Sequence, residues 1–513
     1  MVNRVYSNRI SEYAHENGGR VIILLLLFLL AIYEFLHSGY NTFLIICISP
    51  LLIYIVYASF KWRMSVFWAL IFINYILQMK DNHLPGGVPM SLWDEMLELL
   101  LIAIAIVDIR HHSHFERCIN LMFLAILLWL GFCVLQLFND TCNLGIDIVS
   151  WFTSFRLIAL QLLWILIVFS IYISSPKRLL LFLRIWAILA LFSAFWTWKQ
   201  KTIGFTDTEY AWLYYGPGRR THIINGGTLI RYFSTFSDAA NYGCNAAASA
   251  ITFIIISITS KIKWDKYFFL ITGLCVLWGM FQSGTRTAIF SIAVGFMAYI
   301  VLSKSVKIAI PFSAFLALSM FVLVFTNIGQ GNQQIRRMRS AFDKQDASAN
   351  VRDVNQTAIK KYLDDAPWGL GIGSSRANIP ANNKFRKLSE IPPDSEYVFI
   401  WVHTGIIGII FFVVCMLIMW IGACWIVMFK LRNPSLIGIG GALCCAFLSI
   451  QLSAYANQVL FQYPNGLTFF GGLAIVYVLP YIEQEWIEHE QQRLEEQERK
   501  EQLKLQKKLA KRV

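Results

Sequence analysis

Apolar runs of about 20 residues recur along most of the chain, and each is long enough to cross the hydrocarbon core of a bilayer as one helix. About fourteen lie near 20–36, 41–60, 64–79, 93–108, 119–138, 157–174, 179–198, 241–260, 267–283, 286–303, 307–326, 397–428, 435–455 and 465–482. A chain built this way is all-α and polytopic. Its 15% charged residues against 57% hydrophobic ones agree, since a soluble chain of 513 residues carries nearer a quarter charged.

The net charge of +13 invites a nucleic-acid reading, but in a membrane protein the placement of charge matters more than its size. With the N-terminus inside, the inner segments hold Arg4, Arg9 and Arg20, then Lys61 and Arg63, Arg110 and Arg117, and Lys177 and Arg178. Lys261, Lys263 and Lys266 follow, then Lys304 and Lys307, and finally Lys430 and Arg432. The short outer connections at 37–40 and 456–464 hold no Lys or Arg, and those near 80–92 and 139–156 hold one each, Lys80 and Arg156. That alternation is the positive-inside pattern of an even number of spans with both termini cytoplasmic. The opening polar segment is long and lacks a small-x-small cleavage site, so 20–36 reads as an uncleaved span rather than a signal peptide. Most cysteines lie within apolar runs and none forms a CxxC pair, which excludes a disulfide framework and a zinc motif.

The expected organisation is N-terminal spans over 1–198, an outer loop over 199–240, spans over 241–326, a large outer loop over 327–396 between the eleventh and twelfth spans, spans over 397–482 and a charged tail over 483–513. The large loop is partly helical, because VRDVNQTAIKKYLDDAP has amphipathic spacing and leads into the glycine-rich WGLGIGSS. Those glycines lack the following Lys-Ser/Thr of a nucleotide loop and suit a tight turn against the membrane domain. The tail reads as a solvated cytoplasmic helix whose basic end can touch anionic membrane lipids.

Outer loops have little reason to be basic, yet here they hold Arg219, Arg220, Arg231, Arg336, Arg337, Arg339, Arg352, Arg376 and Arg386, with Asp343 and Asp346 among them. Arginine offers a fixed fork of donors that matches phosphate oxygens. Arg286, in FQSGTRTAIF between two spans, is a phosphate contact or an interfacial snorkelling side chain. In RYFSTFSDAANYG, a helix would put Arg231 and Asp238 on one face with Asn241 just inside the membrane edge. In PPDSEYVFIWVHTGIIG, Asp394 or Ser395 can cap the twelfth span, and Glu396 and His403 stand seven apart on one helical face. A carboxylate or imidazole there can take a proton from a hydroxyl, or can serve only as cap and buried histidine.

These patches, in this order, resemble the O-antigen ligase and polysaccharide polymerase superfamily of bacterial inner-membrane enzymes. The resemblance covers roughly 205–430 and rests on Arg231 through Asn241, the SGTRTA patch at Arg286, Arg352 upstream of APWGLGIGSS, and DSEYVFIWVHTGIIG. Family ligases generally carry a His-Asn pair where this chain has Asp394-Ser395, which favours the polymerase.

The resemblance implies metal-independent, cofactor-free, inverting transfer from an undecaprenyl-diphosphate-linked glycan to an acceptor sugar hydroxyl, on the periplasmic side. Arg231, Arg286 and Arg352 would hold the diphosphate, Asp238 and Asn241 the substrate, and Asp394, Glu396 or His403 would be the base. The acceptor is a growing glycan for a polymerase or lipid A-core for a ligase, and other polysaccharide assembly proteins are candidate partners. A lipid-linked oligosaccharide flippase is the rival class, but the chain shows no paired halves and a flippase needs no 70-residue outer loop.

Overall fold

The computed structural model describes residues 54, 55, 57–80, 91–108, 113–224, 227, 229–305, 326–331, 333–339 and 347–510, with scattered positions in 18–33 and 310–325. The expected spans at 20–36, 41–60 and 307–326, the loop at 81–90, and Arg4, Arg9, Arg20, Arg110, Lys307, Asp343 and Asp346 lie wholly or mainly outside the described residues. Residues 1–66 form one unit and 67–513 another. In the first, Ser59 Oγ donates to Ile55 O at 2.7 Å along a helical turn.

The chain is mostly helical. Its longer helices are α1 (Arg63–Ile76), α2 (Ser91–Val107), α3 (Leu121–Phe138), α4 (Ile148–Tyr172), α5 (Pro176–Thr202), α6 (Ala239–Thr259), α7 (Lys263–Ser283), α8 (Arg286–Leu302), α9 (Ala347–Leu363), α10 (Glu396–Lys430), α11 (Pro434–Ala454) and α12 (Gly466–Ala510). Seven of these, α3, α4, α5, α6, α10, α11 and α12, are long and apolar enough to cross a membrane, while α1 and α8 are apolar but shorter. The one hairpin among the described residues pairs β1 (Ile223–Ile224) with β2 (Leu229–Ile230), antiparallel. Starts are set by capping chemistry. Asn120 accepts from Phe123 N, Asp147 from Val149 N and Ser150 N, and Asn433 from Leu436 N ahead of Pro434.

Helix α6 is the centre of the packing, flanked by α7, α8 and α11. Its AANYGCNAAASA run lets neighbouring backbones approach closely, as small residues do between membrane helices. At Gly243 an added Cβ would collide with Ser283 Oγ and Thr285 Oγ1, so the SGTRTA turn lies directly on this helix.

Helix α10 has 35 residues, about 52 Å at 1.5 Å per residue, well beyond a ~30 Å hydrocarbon core. It is broken at Gly405, whose φ of 68° and ψ of −171° are not helical. The break frees carbonyls that the glycine turn of the large loop satisfies: Leu370 N donates to Val402 O at 2.9 Å and Gly371 N to His403 O at 3.0 Å. Gly369 also has positive φ, and a Cβ on it would strike the backbone at Thr404 and Gly405. The far side of the turn is held by Asn139 Nδ2, which donates to Trp368 O at 2.8 Å.

The tail departs from the solvated helix expected of it. It continues α12, and its first turns are packed: Trp486 is 6% exposed and Glu490 8%. Glu483 accepts from Arg432 N and Asn433 N, both at 2.7 Å, Glu490 pairs with Lys261 at 2.8 Å, and Arg493 pairs with Asp265 at 2.7 Å.

Replacing Gly405 with alanine forces a side chain into positive φ and against Pro367 O. The expected loss is at least ~2 kcal/mol, from strain and steric overlap. Thermal melting of the detergent-solubilised protein reads it; a Gly405→Ala variant that melts with the wild type would show that the break does not need glycine.

Candidate functional site

Segments distant in sequence meet around an open cavity of about 700 Å³. Arg231, Asp238, Arg352 and Asp394 face it, with Thr221 and His222 on one side and Asn457, Gln458 and Gln462 on another.

Residues 231–238 do not form the expected helix; they leave β2 as an irregular loop, and α6 starts only at Ala239. Arg231 and Asp238 nevertheless share the cavity. The Arg231 guanidinium is held at each nitrogen: Nε donates to Ser283 O at 3.1 Å, one terminal nitrogen to Thr221 O at 3.1 Å and the other to Thr285 Oγ1 at 3.2 Å. Burial holds its pKa below the usual arginine value, Asp238 opposes that, and the charges of Arg286 and Arg352 add to it. The three arginines therefore lie within one electrostatic neighbourhood. Arg286 opens α8 and is not among the cavity-lining residues; its charge bears on the Arg231 guanidinium. Arg337 Nε donates to Gly284 O at 2.7 Å and ties the Gln333–Arg339 segment to the turn before Arg286.

Asp238 caps α6, accepting from Ala240 N at 2.7 Å and Asn241 N at 3.0 Å, while its carboxylate also borders the cavity. Asn241 is fully buried and away from the cavity lining. It donates to Tyr463 O at 2.9 Å and accepts from Asn465 Nδ2 at 2.6 Å. The remaining N–H of this helix end, Ala239 N, donates to His222 Nε2 at 2.9 Å. A backbone N–H can only donate, so Nε2 carries the lone pair and the ring proton sits on Nδ1, 2.8 Å from Thr221 Oγ1. Burial first, then the Arg231 charge, pushes the His222 pKa down to about 3. Lys80 Nζ donates to Ser237 O at 2.6 Å and stands 4.0 Å from the Trp212 ring; burial lowers its pKa to about 8 against the pull of Asp238.

Helix α9 brings Arg352 to the cavity and, one turn on along the same face, Asn355 to Asp394. Arg352 donates to Ala456 O at 2.8 Å, and Asn355 Nδ2 donates to Asp394 Oδ2 at 3.0 Å. Ser395 is the cap of α10, accepting from Val398 N at 3.4 Å, which leaves the Asp394 carboxylate at the cavity.

Glu396 and His403, seven residues apart, do not meet there. The Glu396 carboxylate is buried and accepts from Leu460 N at 3.1 Å. His403 lies with Nδ1 2.8 Å from Phe399 O and Nε2 3.0 Å from Ser374 O, beside the break in α10.

The segment 455–465 gave no signal in the sequence because it carries no charge. It forms a cavity wall, and its own main chain holds it: Ala456 O takes Arg352, Asn457 O takes Glu396 N at 3.3 Å, Leu460 N reaches Glu396, Val459 O takes Asn465 Nδ2 at 2.8 Å, and Tyr463 O takes Asn241. Among the described residues no group of three or more His, Cys, Asp or Glu is placed to hold a metal ion.

Fold and cavity together point to a multi-pass membrane protein with an open cavity lined by both arginines and carboxylates. Residues 271–413 match the family model described as O-antigen ligase, which supports a likeness of this part of the chain to the O-antigen ligase and polymerase superfamily. The match includes Arg286, Arg352, the glycine turn and Asp394, whereas Arg231, Asp238 and the 455–465 wall lie outside it. A comparison with curated proteins finds no match.

Because His222 is neutral in the fold, the unfolded chain takes up its proton first as pH falls below the ordinary 6.5. Stability from this group is complete above about pH 6.5 and declines toward the folded value near 3, with a limiting slope of about 1.4 kcal/mol per pH unit. Melting curves between pH 7.5 and 5 should show a smaller decline in His222→Gln than in the wild type; parallel curves would refute the assignment.

Proposed function

We propose that this protein transfers a glycan from undecaprenyl diphosphate to an acceptor sugar hydroxyl at the periplasmic face of the bacterial inner membrane, as a polysaccharide polymerase. The observation that carries the reading is the meeting of Arg231, Arg352 and Asp394 at one cavity. The proposed topology has about fourteen spans, both termini in the cytoplasm and the 327–396 loop outside.

In the proposed reaction the Asp394 carboxylate takes the proton of the acceptor hydroxyl. The freed oxygen attacks the anomeric carbon from the face opposite the diphosphate, the bond from that carbon to the diphosphate oxygen breaks, and the configuration inverts. Charge then gathers on the departing diphosphate, where Arg231 and Arg352 neutralise it directly and Arg286 through its field. Asn355 fixes one Asp394 oxygen and leaves the other to the acceptor. Asp238 borders the substrate, and Asn241 acts by holding the wall at Tyr463. Glu396 and His403 support the scaffold in this reading. An apolar groove of about 450 Å³ between α10 and α11 starts beside the cavity, since Tyr397 and Tyr455 border the groove and Asp394 and Ala456 the cavity. That continuity suits a donor with a charged head and a hydrocarbon tail. The ligase reading, with lipid A-core as acceptor, is favoured by the description of the matching family; Asp394-Ser395 in place of the His-Asn pair favours the polymerase.

Cells lacking the protein, complemented with wild type, Arg231→Ala or Asp394→Asn at matched membrane abundance, provide the test through the gel ladder of lipid-linked and surface glycans. Each substitution should lower transfer by at least ~100-fold, as loss of a general base or of a charge-stabilising group does. Single repeat units at the surface mean a polymerase, and full-length chains left on the carrier mean a ligase. A wild-type ladder with both variants would overturn the assignment.

A further inference from the structure

The cavity lining holds two chemically different sets of side chains. One presents charge: Arg231, Arg352, Asp238 and Asp394. The other is neutral and comes from six consecutive residues, Asn457 to Gln462, whose carboxamides all border the cavity except for the apolar residues between them.

The three carboxamides are committed to different degrees. Asn457 Nδ2 donates to Thr287 Oγ1 at 2.8 Å and to Ser453 O at 3.2 Å, and its Oδ1 has no hydrogen-bond partner among the described residues. The Gln462 Oε1 accepts from Ser237 Oγ at 2.9 Å, and its Nε2 has no hydrogen-bond partner among the described residues. Gln458 is half-buried in the cavity wall, and neither end of its amide has a hydrogen-bond partner among the described residues. A phosphate accepts only, so it is served by cations and N–H groups. A sugar hydroxyl both donates and accepts, and a carboxamide offers both roles without charge. The wall that carries these amides is fixed through its main chain by Glu396, Arg352, Asn241 and Asn465, so they start from set positions.

We propose that Asn457, Gln458 and Gln462 form a sugar-hydroxyl subsite, with Gln458 as the residue that reads the glycan while the arginines hold the diphosphate. The inference rests on the glycosyl-transfer reading above and adds which wall recognises sugar. The Gln458 side chain makes no hydrogen bond among the described residues, so Gln458→Ala should fold and melt as the wild type does.

The experiment measures binding to the full chain in nanodiscs. Two probes are compared: sugar-free undecaprenyl diphosphate, and lipid-linked glycan extracted from source cells that lack the protein. The wild type should bind the glycan-bearing probe more tightly than the bare one. Gln458→Ala should keep its affinity for the bare diphosphate within about two-fold and lose about five- to ten-fold for the glycan-bearing probe, the size of one or two neutral hydrogen bonds. Arg231→Ala should weaken both. If Gln458→Ala retains the full preference for the glycan-bearing probe, the subsite is wrong while the functional reading stands. If the wild type binds neither probe, the functional reading fails and the subsite with it.

Discussion

A buried backbone carbonyl released from its helix has no water to turn to, and another group of the protein must satisfy it. That constraint explains the break in α10. Gly405 interrupts the helix, Val402 and His403 lose their intrahelical partners, and the N–H groups of Leu370 and Gly371 replace them. The glycine turn is therefore part of the membrane helix in hydrogen-bonding terms. Around this joint the large loop is registered against the bundle: α9 hangs upstream of the turn and delivers Arg352 and Asn355, and α10 begins downstream and delivers Asp394.

A second network does the same for the other wall. Asn241 and Asn245 on α6 interlock with Asn465 at the start of α12, with Asn465 Nδ2 2.6 Å from Asn241 Oδ1 and Asn245 Nδ2 2.8 Å from Asn465 Oδ1. Buried carboxamides of this kind are costly unless paired, and here they pair with each other and with main-chain carbonyls. The result is a rigid rim in which Asp238 and His222 cap the same helix end that Asn241 anchors.

Much of this was legible in the sequence, and the reasons are physical. Helices such as α5, α6 and α11 announce themselves as apolar runs because the membrane leaves little alternative. Arg231 and Arg352 stood out as arginines in outer loops that have little reason to be basic, and Asp238 and Asp394 as carboxylates just ahead of apolar runs. Glu396 and His403 were also charged or titratable at helical spacing, but spacing does not reveal which backbone groups lie nearby. A main-chain N–H claimed Glu396, and carbonyls on two sides enclosed His403. The 455–465 wall was invisible for the converse reason, since main-chain atoms hold it and neutral amides face the cavity. The tail misled because its charges read as solvated, whereas Glu483, Glu490 and Arg493 are spent on helix ends and ion pairs.

A wall fixed by its main chain has a consequence for descent. Ala456, Asn457, Val459, Leu460 and Tyr463 contribute backbone atoms to the bonds that hold it, so the side chain at 458 can change without dismantling the scaffold. Under the proposed subsite, stability and substrate preference are carried by different atoms of one short segment. In the proposed reading, lineages whose glycans drift can thus exchange residues on this wall while Arg231, Arg352 and Asp394 remain under unchanged chemical demand.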